Sequence, residues 1–255
     1  MTDGPALDIN DPEFALSSGE EPTRYRGEPY TGQAVELHPD GTIAARWSFV
    51  DGLDDGPSQA WYEDGSPASV GTTQRGLPVG EWREWRRDGT LATLVVYARP
   101  GSLRLHKRWD QHGTLIEHRL EAGAPGEVFE LKPLGMYREM YDGTRDELPS
   151  IRDALMPDRT GEHARVLDYL RTAPGIVDVM SAVPDLLAGD GWILGGPSLH
   201  SDGVWIWRTD FIEYYAGHAL ALPTEFLDYI RENSYLPASF DRRDLNFHIA
   251  TDRHH

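Results

Sequence analysis

Four side chains of the kinds that form hydrolytic triads lie within five positions of one another: Ser198, His200, Ser201 and Asp202. In a triad, a serine nucleophile, a histidine base and a carboxylate come from separate elements, and the serine often stands on a strained Gly-x-Ser-x-Gly turn. The segment Gly196–His200 does not match that turn, and serine and aspartate are ordinary turn formers. We therefore predict that the chain is not an enzyme, with a hydrolase in the C-terminal half as the third hypothesis.

Patterns that hold metals or phosphates are also missing from the sequence. It has ten histidines and no cysteine, but no two histidines have the His-x-x-x-His spacing of a zinc-binding helix. Gly195–Pro197 follows a strand-like run, yet proline lacks the N–H that a phosphate cradle needs, and no Gly-Lys-Ser or Gly-Lys-Thr follows. We expect no metal site and no cofactor.

A binding site is better supported than a catalytic one. Trp205 and Trp207 lie on one face of a predicted strand whose other face is apolar as well. This strand is therefore either buried on both sides or keeps one face for a partner. Acidic and aromatic residues around it suit a basic partner, because aromatic rings anchor and carboxylates steer. The predicted partner-binding residues are Asp202, Trp205, Trp207, Asp210, Glu213 and Tyr214.

The charge balance limits the classes of partner. The chain carries 42 Asp and Glu against 24 Lys and Arg, a net charge of −18, whereas nucleic-acid binding needs a basic surface. Residues 1–23 have six acidic and no basic side chains, residues 24–120 have 13 and 12, and residues 121–255 have 23 and 12. We expect no direct nucleic-acid binding, and the acidity either keeps the protein soluble or attracts a basic partner.

Membrane insertion and secretion are not expected either. No apolar run approaches the roughly 20 residues of a membrane-spanning helix. The first residues, Met1–Phe14, have neither the basic nor the apolar part of a signal peptide. The sequence therefore predicts a cytoplasmic protein without integral membrane association.

The first half of the chain contains an internal repeat. A turn pair recurs every 24 residues, and a large apolar residue stands three positions before it. Asp-Gly between strand-like runs is typical of a β-hairpin, because glycine accepts the positive φ of the turn. Successive hairpins predict an extended antiparallel sheet, whose tryptophans either pack neighbouring repeats together or bind a ligand. The predicted repeat-structural residues are Leu37, Gly41, Trp61, Gly65, Trp85, Gly89, Trp109 and Gly113.

The repeat unit, Gly-x-Trp-x-x-Trp-x-x-Asp-Gly-x-Leu, resembles the variant MORN repeat, in particular the arrays of bacterial antitoxin and immunity proteins. The resemblance covers about residues 25–120. It implies an array of β-hairpins and a protein that neutralises a toxin by direct binding, although MORN-type repeats also serve as scaffolds and membrane-lipid contacts. The fourth copy has Arg104 in place of glycine and His112 in place of aspartate, so we expect the array to end or bend there.

The second half of the chain predicts a small α+β domain. Residues 121–159 are expected to form a connecting segment or a degraded repeat, with one strand near Val128–Leu131. The segment Trp192–Asn233 resembles a C-terminal module of actinobacterial proteins, some of them immunity-like, and residues 234–255 are expected to be frayed. Helices are predicted at residues 160–173, 176–187, 211–218 and 224–233, and strands at Trp192–Leu194 and Val204–Arg208.

The combined prediction is an α+β fold in four parts. Its function is predicted to be that of a non-enzymatic immunity or antitoxin protein, whose acidic C-terminal domain contacts a basic, nuclease-like toxin. The alternative is a scaffold that organises proteins or contacts a membrane surface, and self-association is left open. The four parts are an acidic, disordered or extended tail (1–23), an array of 24-residue hairpin repeats (24–120), a connecting segment (121–159) and an acidic α+β domain (160–255).

Overall fold

The computed structural model describes residues 6–16, 21–121, 131–143 and 145–241. It has an α+β fold, as predicted, with mostly antiparallel sheets and three α-helices in the part described. The chain divides into two compact units, residues 1–117 and 118–255.

The first unit is dominated by a ten-stranded sheet. The strands are β1 (Leu7–Asp8), β2 (Phe14–Ala15), β3 (Arg24–Tyr25), β4 (Glu28–Pro29), β5 (Gly32–Leu37), β6 (Ile43–Val50), β7 (Leu53–Asp54), β8 (Gly56–Trp61), β9 (Pro67–Gln74), β10 (Leu77–Trp85), β11 (Leu91–Arg99), β12 (Ser102–Trp109) and β13 (Leu115–Leu120), whose last three residues belong to the second unit. The sheet order is β1-β5-β6-β8-β9-β10-β11-β12-β13, with β7 beside β6, while β2, β3 and β4 form a separate small sheet.

Glycine and aspartate build the turns between the long strands. The Asp40 carboxylate accepts hydrogen bonds from the N–H and the hydroxyl of Thr42, at 2.9 and 2.6 Å. In the fourth turn, where histidine replaces this aspartate, Asp110 accepts from the N–H groups of His112 and Thr114 instead, at 2.8 and 2.9 Å. The fourth turn therefore keeps a carboxylate acceptor. The turn glycines, with φ between +77° and +87°, are Gly41, Gly65, Gly89 and Gly113.

Contacts between successive turns also recur at a constant spacing. The side chain that precedes each of the first three turns contacts the backbone carbonyl of the tryptophan 23 residues further on. The three tryptophans are half-buried, and Leu37 at the equivalent position is exposed. The carbonyls of the repeated tryptophans thus connect one turn to the next. The pairs are His38 with Trp61 (3.1 Å), Tyr62 with Trp85 (2.6 Å) and Arg86 with Trp109.

The start of the chain belongs to the first unit. β1 pairs in parallel with β5, and Phe14 is buried in a small core with Ala34 and Phe49. Of the two alternatives for the tail over residues 1–23, disordered or extended, residues 6–16 therefore contain extended strands that are held against the first unit. The apolar side chains that lie between the acidic ones supply enough burial to hold this segment on the sheet.

The second unit combines a four-stranded sheet, a two-stranded ribbon and the three α-helices. Its remaining elements are β14 (Lys132–Pro133), α1 (His163–Thr172), β15 (Gly175–Val177), β16 (Ala182–Pro184), β17 (Trp192–Leu194), β18 (Leu199–Ser201), β19 (Trp205–Arg208), α2 (Thr209–Gly217) and α3 (Thr224–Glu232), with short 3-10 helices at Arg138–Met140 and Ile151–Ala154. The sheet order is β14-β19-β18-β15, and β16 pairs with β17.

The core of the second unit covers both faces of β19. Trp205 and Trp207 pack against Phe226 of α3, with ring centres 5.5 and 6.4 Å from its ring centre. Ile206, on the opposite face, packs in a second cluster that includes Leu199. Of the two alternatives for this apolar strand, the structure therefore selects burial on both sides.

Strand pairing overrides local pattern at two places in the second unit. The helix predicted over residues 176–187 is replaced by β15 and β16, since valine and isoleucine favour extended backbone and Pro184 cannot lie inside a helix. The expected connecting segment is part of this unit: β14 pairs with the central strand β19, and Leu134 and Tyr137 lie in the core. Residues 128–130 of the predicted strand lie outside the described residues.

The end of the described chain is also ordered by pairing. Ala238 is fully buried, and Ser239 exchanges backbone hydrogen bonds with His118 and Leu120, at 2.8 and 2.9 Å. The prediction of frayed residues is therefore wrong for residues 234–241, and residues 242–255 lie outside the described part.

A candidate protein-binding surface

The predicted partner-binding residues are mostly buried. Five of the six are at most 4% exposed, and only Glu213 lies at the surface, with its carboxylate 3.9 Å from Arg171. The five buried side chains therefore cannot form a contact surface, because both faces of β19 are covered within the unit. The buried five are Asp202, Trp205, Trp207, Asp210 and Tyr214.

Asp202 fixes the turn between β18 and β19. Its Oδ1 accepts hydrogen bonds from the N–H groups of Val204 and Trp205, at 2.9 and 2.7 Å. The Tyr169 hydroxyl donates to Oδ2 at 2.6 Å. Burial raises the pKa of the Asp202 carboxyl to about 6, against these hydrogen bonds, which favour the charged form. The residue is a structural part of the core.

Asp210 forms an internal ion pair. It accepts two hydrogen bonds from the Arg208 guanidinium, at 3.0 and 2.7 Å, and that guanidinium lies 5.1 Å from the ring centre of Tyr141. Burial raises the pKa of the Asp210 carboxyl although Arg208 opposes the shift. The backbone N–H of Asp210 donates to the carbonyl of Gly196 at 3.1 Å, directly after the ribbon.

The four residues of the hydrolase hypothesis form hydrogen bonds with other groups of the second unit. Ser198 and Ser201 bond to backbone atoms, and His200 and Asp202 contact side-chain hydroxyls. Within the described ranges, no group of three His, Asp or Glu side chains could hold a metal ion. Their partners include Val179 for Ser198, Thr209 for His200, Trp205 for Ser201 and Tyr169 for Asp202.

The ribbon formed by β16 and β17 exposes apolar side chains on the face that does not pack against the core. In its register, Val183 lies opposite Ile193, and Ile193 packs against the core. Because side chains alternate between the faces of a strand, Trp192 and Leu194 lie on the other face, where they are 70% and 81% exposed. Trp192 pairs with Pro184. The outer face of this ribbon is therefore apolar where a solvated strand is normally polar.

Met180, which precedes β16, extends this surface. Its side chain is fully exposed. We name Met180, Pro184, Trp192 and Leu194 the ribbon patch. Large apolar side chains exposed together are uncommon on a monomer and mark sites of protein association.

Hydrogen bonds with the Tyr214 hydroxyl of α2 hold the ribbon in place. The Tyr214 hydroxyl donates to the carbonyl of Pro184 at 3.3 Å and accepts from the N–H of Leu186 at 3.0 Å. At the far end, the N–H of Gly195 donates to the carbonyl of Ser181 at 2.8 Å. Tyr214, predicted as a contact residue, thus positions the surface without being part of it.

Acidic groups accompany the ribbon patch. From residue 172 to residue 207 the chain has neither lysine nor arginine, and of its four aspartates Asp178 and Asp190 are exposed whereas Asp202 is buried. A cavity of about 160 Å³ includes Pro184 of the patch and is also lined by Glu139 and Asp142. The surface can therefore provide apolar anchors and attract positive charge at the same time.

The sequence contained a usable signal for this surface. β17 was predicted as the strand Trp192–Leu194, and its three consecutive apolar residues place large side chains on both faces. Because residues 176–187 were predicted as a helix, β16 was not recognised as the strand that pairs with β17. Without this pairing, the exposed outer face of the ribbon could not be inferred.

Comparisons with known proteins do not assign this chain to a family. No protein-family model matches the sequence, and no curated protein matches it. No helix in the described part of the chain is long and apolar enough to cross a membrane.

Proposed function

We propose that this chain is a cytoplasmic, non-enzymatic protein of the immunity or antitoxin type, which neutralises a toxic protein by direct contact. The observation that carries the proposal is the ribbon patch. Trp192 and Leu194 stand out from a ribbon that hydrogen bonds hold in place, so little conformational entropy is lost when a partner covers them. Tryptophan is also among the residues that contribute most to binding at protein interfaces.

The partner proposed for this surface is a basic protein with an apolar pocket that receives the side chains of the ribbon patch. The net charge of −18 and the aspartates near the ribbon favour a positively charged surface. A nuclease fits this description, because an enzyme that holds phosphates needs basic side chains around its cleft. Binding there would block access of the nucleic acid.

The first unit is interpreted as the scaffold of this protein. We interpret the ten-stranded sheet as an array of 24-residue hairpin repeats of the MORN type. The recurring glycine turns and the contacts between successive turns support this interpretation. An array of this kind is what the resemblance to antitoxin and immunity proteins implies.

The proposal is tested by growth rescue. The tagged protein is captured from its host, and a stoichiometric partner is expressed with and without it. We expect the partner alone to arrest growth and co-expression to restore growth. The double variant Trp192→Ser, Leu194→Ser should lose rescue and bind at least about 100-fold more weakly, since interface anchors are worth 2 kcal/mol or more each.

A matched control separates this effect from a general loss of apolar surface. Ile116 is a strand residue of the first unit that is 47% exposed, and Ile116→Ser should rescue growth as well as the wild type. Full protection by the ribbon double variant would contradict the proposal. Capture of many partners, none of them toxic, would favour a scaffold instead.

A further inference from the structure

Two adjoining cavities form a groove in the first unit. The first has a volume of about 540 Å³ and the second about 280 Å³, and Trp47 and Asp54 line both of them. We name them together the sheet groove. Small side chains line the second cavity, so that an extended chain can approach the sheet closely there. They are Ala45, Ser58, Ala60 and Ser69.

Trp82 forms a fixed wall of the second cavity. Its Nε1 donates to the carbonyl of Thr72 at 3.0 Å, and its ring lies against Gly71. A Cβ atom at Gly71 would come within 2.1 Å of that ring, so the ring can occupy this place only over a glycine. Trp82 therefore lines the second cavity, in addition to Trp47, which lines both cavities.

Two carboxylates in the groove have no partner among the described residues. Asp54 and Glu36 both line the first cavity, and none of the described residues donates a hydrogen bond to either carboxylate or forms an ion pair with it. By contrast, the adjacent Asp55 accepts from the N–H of Arg75 at 3.2 Å. Burial raises the pKa of the Asp54 carboxyl, which means that its charge is poorly compensated within the chain.

The chemistry of the walls defines the ligand. Leu16 and Leu53 are exposed at the first cavity and can pack against an aliphatic stem. The face of Trp47 can receive a planar cation, and the two carboxylates can accept its N–H donors. An arginine side chain combines all three features, whereas lysine offers a compact ammonium that does not stack.

We infer that the sheet groove binds an extended segment of the partner protein, with one arginine of that segment between Trp47 and the carboxylates of Asp54 and Glu36. The identity of the partner rests on the proposed function. The groove is a site in addition to the ribbon patch. The volume of the groove favours a segment over a single small ion, because its two cavities together exceed the space that one side chain fills.

The test uses a synthetic peptide as the probe. The full chain is titrated with acetyl-Ser-Gly-Arg-Gly-Ser-Gly-amide, and binding is followed through the indole N–H signals of Trp47 and Trp82 in NMR spectra. We expect a Kd of about 1 mM, typical of a single anchored side chain. Asp54→Asn should weaken binding at least tenfold. Glu63→Gln, which removes one exposed charge elsewhere in the same sheet unit, should leave it unchanged.

Titrations with three further ligands can contradict the inference. The same peptide with lysine in place of arginine should bind more weakly, and with citrulline it should not bind. Guanidinium chloride should also bind more weakly than the arginine peptide; equal affinity would overturn the inference of a segment. Unchanged indole signals at 10 mM peptide, or equal weakening by Glu63→Gln, would overturn the site itself.

The experiment separates this inference from the proposed function. Peptide binding is measured without the partner, and the ribbon double variant should bind the peptide as the wild type does. If growth rescue fails while the peptide binds, the inference of a binding groove is retained and the proposed immunity function is wrong. If rescue succeeds and the peptide does not bind, the function stands and the groove inference is wrong.

Discussion

The same kind of side chain has opposite roles at two places in this protein. Asp202 is fully buried and accepts three hydrogen bonds, so its side chain is a structural part of the core. Asp54 lies in a groove without a partner among the described residues. Residue type and local sequence do not distinguish the two cases, and only the surrounding contacts do.

Asp202 should make stability depend on pH. Its pKa is raised from 3.8 to about 6 in the folded protein, so the folded state holds a proton that the unfolded state loses between these values. The unfolding free energy contributed by this group is therefore greatest below pH 4 and falls as pH rises to 6, by on the order of 3 kcal/mol. Urea unfolding at intervals from pH 4 to pH 7 measures this decrease.

The variant Asp202→Asn provides the comparison. Its side-chain oxygen can still accept from Val204 and Trp205, and its amide can donate to the hydroxyl of Tyr169. We expect it to fold and to lack the decrease between pH 4 and pH 6. An identical pH profile for variant and wild type would show that another group is responsible.

At the scale of elements, a single carboxylate connects two helices of the second unit. Glu162, just before α1, accepts hydrogen bonds from Arg231 of α3, at 3.0 Å for Nε, and from the Tyr235 hydroxyl. The Arg231 and Tyr235 hydrogen bonds lower the pKa of the Glu162 carboxyl to about 2. This depressed pKa contributes stability that is present above the unfolded value of about 4.5 and is lost as pH falls towards 2.

We therefore expect Glu162→Gln to lower the unfolding free energy at pH 7 by about 1 kcal/mol, since solvent screens the partly exposed Arg231. The difference from the wild type should shrink as pH falls below 4.5. Chemical denaturation at pH 7 and pH 3.5 tests both statements. Glu232→Gln, which removes an exposed charge from the end of α3, is the matched control and should show neither effect.

The elements that depend on local pattern were predictable from the sequence. α3 begins directly after Pro223, as the proline indicated, and the Asp-Gly pairs identified the turns before Thr42 and its equivalents. The ribbon and the burial of β19 depend on pairing between distant segments. Local pattern therefore predicted the strands β17 and β19. It could not show that the side chains of β19 are buried and that Trp192 and Leu194 of β17 reach the surface.

At the scale of the whole molecule, charge and apolar contact should act on different steps of binding. The net charge of −18 produces a field that attracts a basic partner before contact, and salt screens this field. The ribbon patch acts only after contact, and burial of apolar surface is much less sensitive to salt. Association should therefore depend on ionic strength more strongly than dissociation does.

Stopped-flow measurement with the identified partner separates the two steps. Between about 50 and 500 mM salt, we expect the association rate constant to fall at least about tenfold and the dissociation rate constant to change less than about threefold. Trp192→Ser should accelerate dissociation with the salt dependence of association retained. Asp178→Asn with Asp190→Asn, two exposed positions beside the ribbon, should slow association and leave dissociation nearly unchanged. Association that is indifferent to salt would contradict a basic partner, because the acidity of the chain would then serve solubility alone.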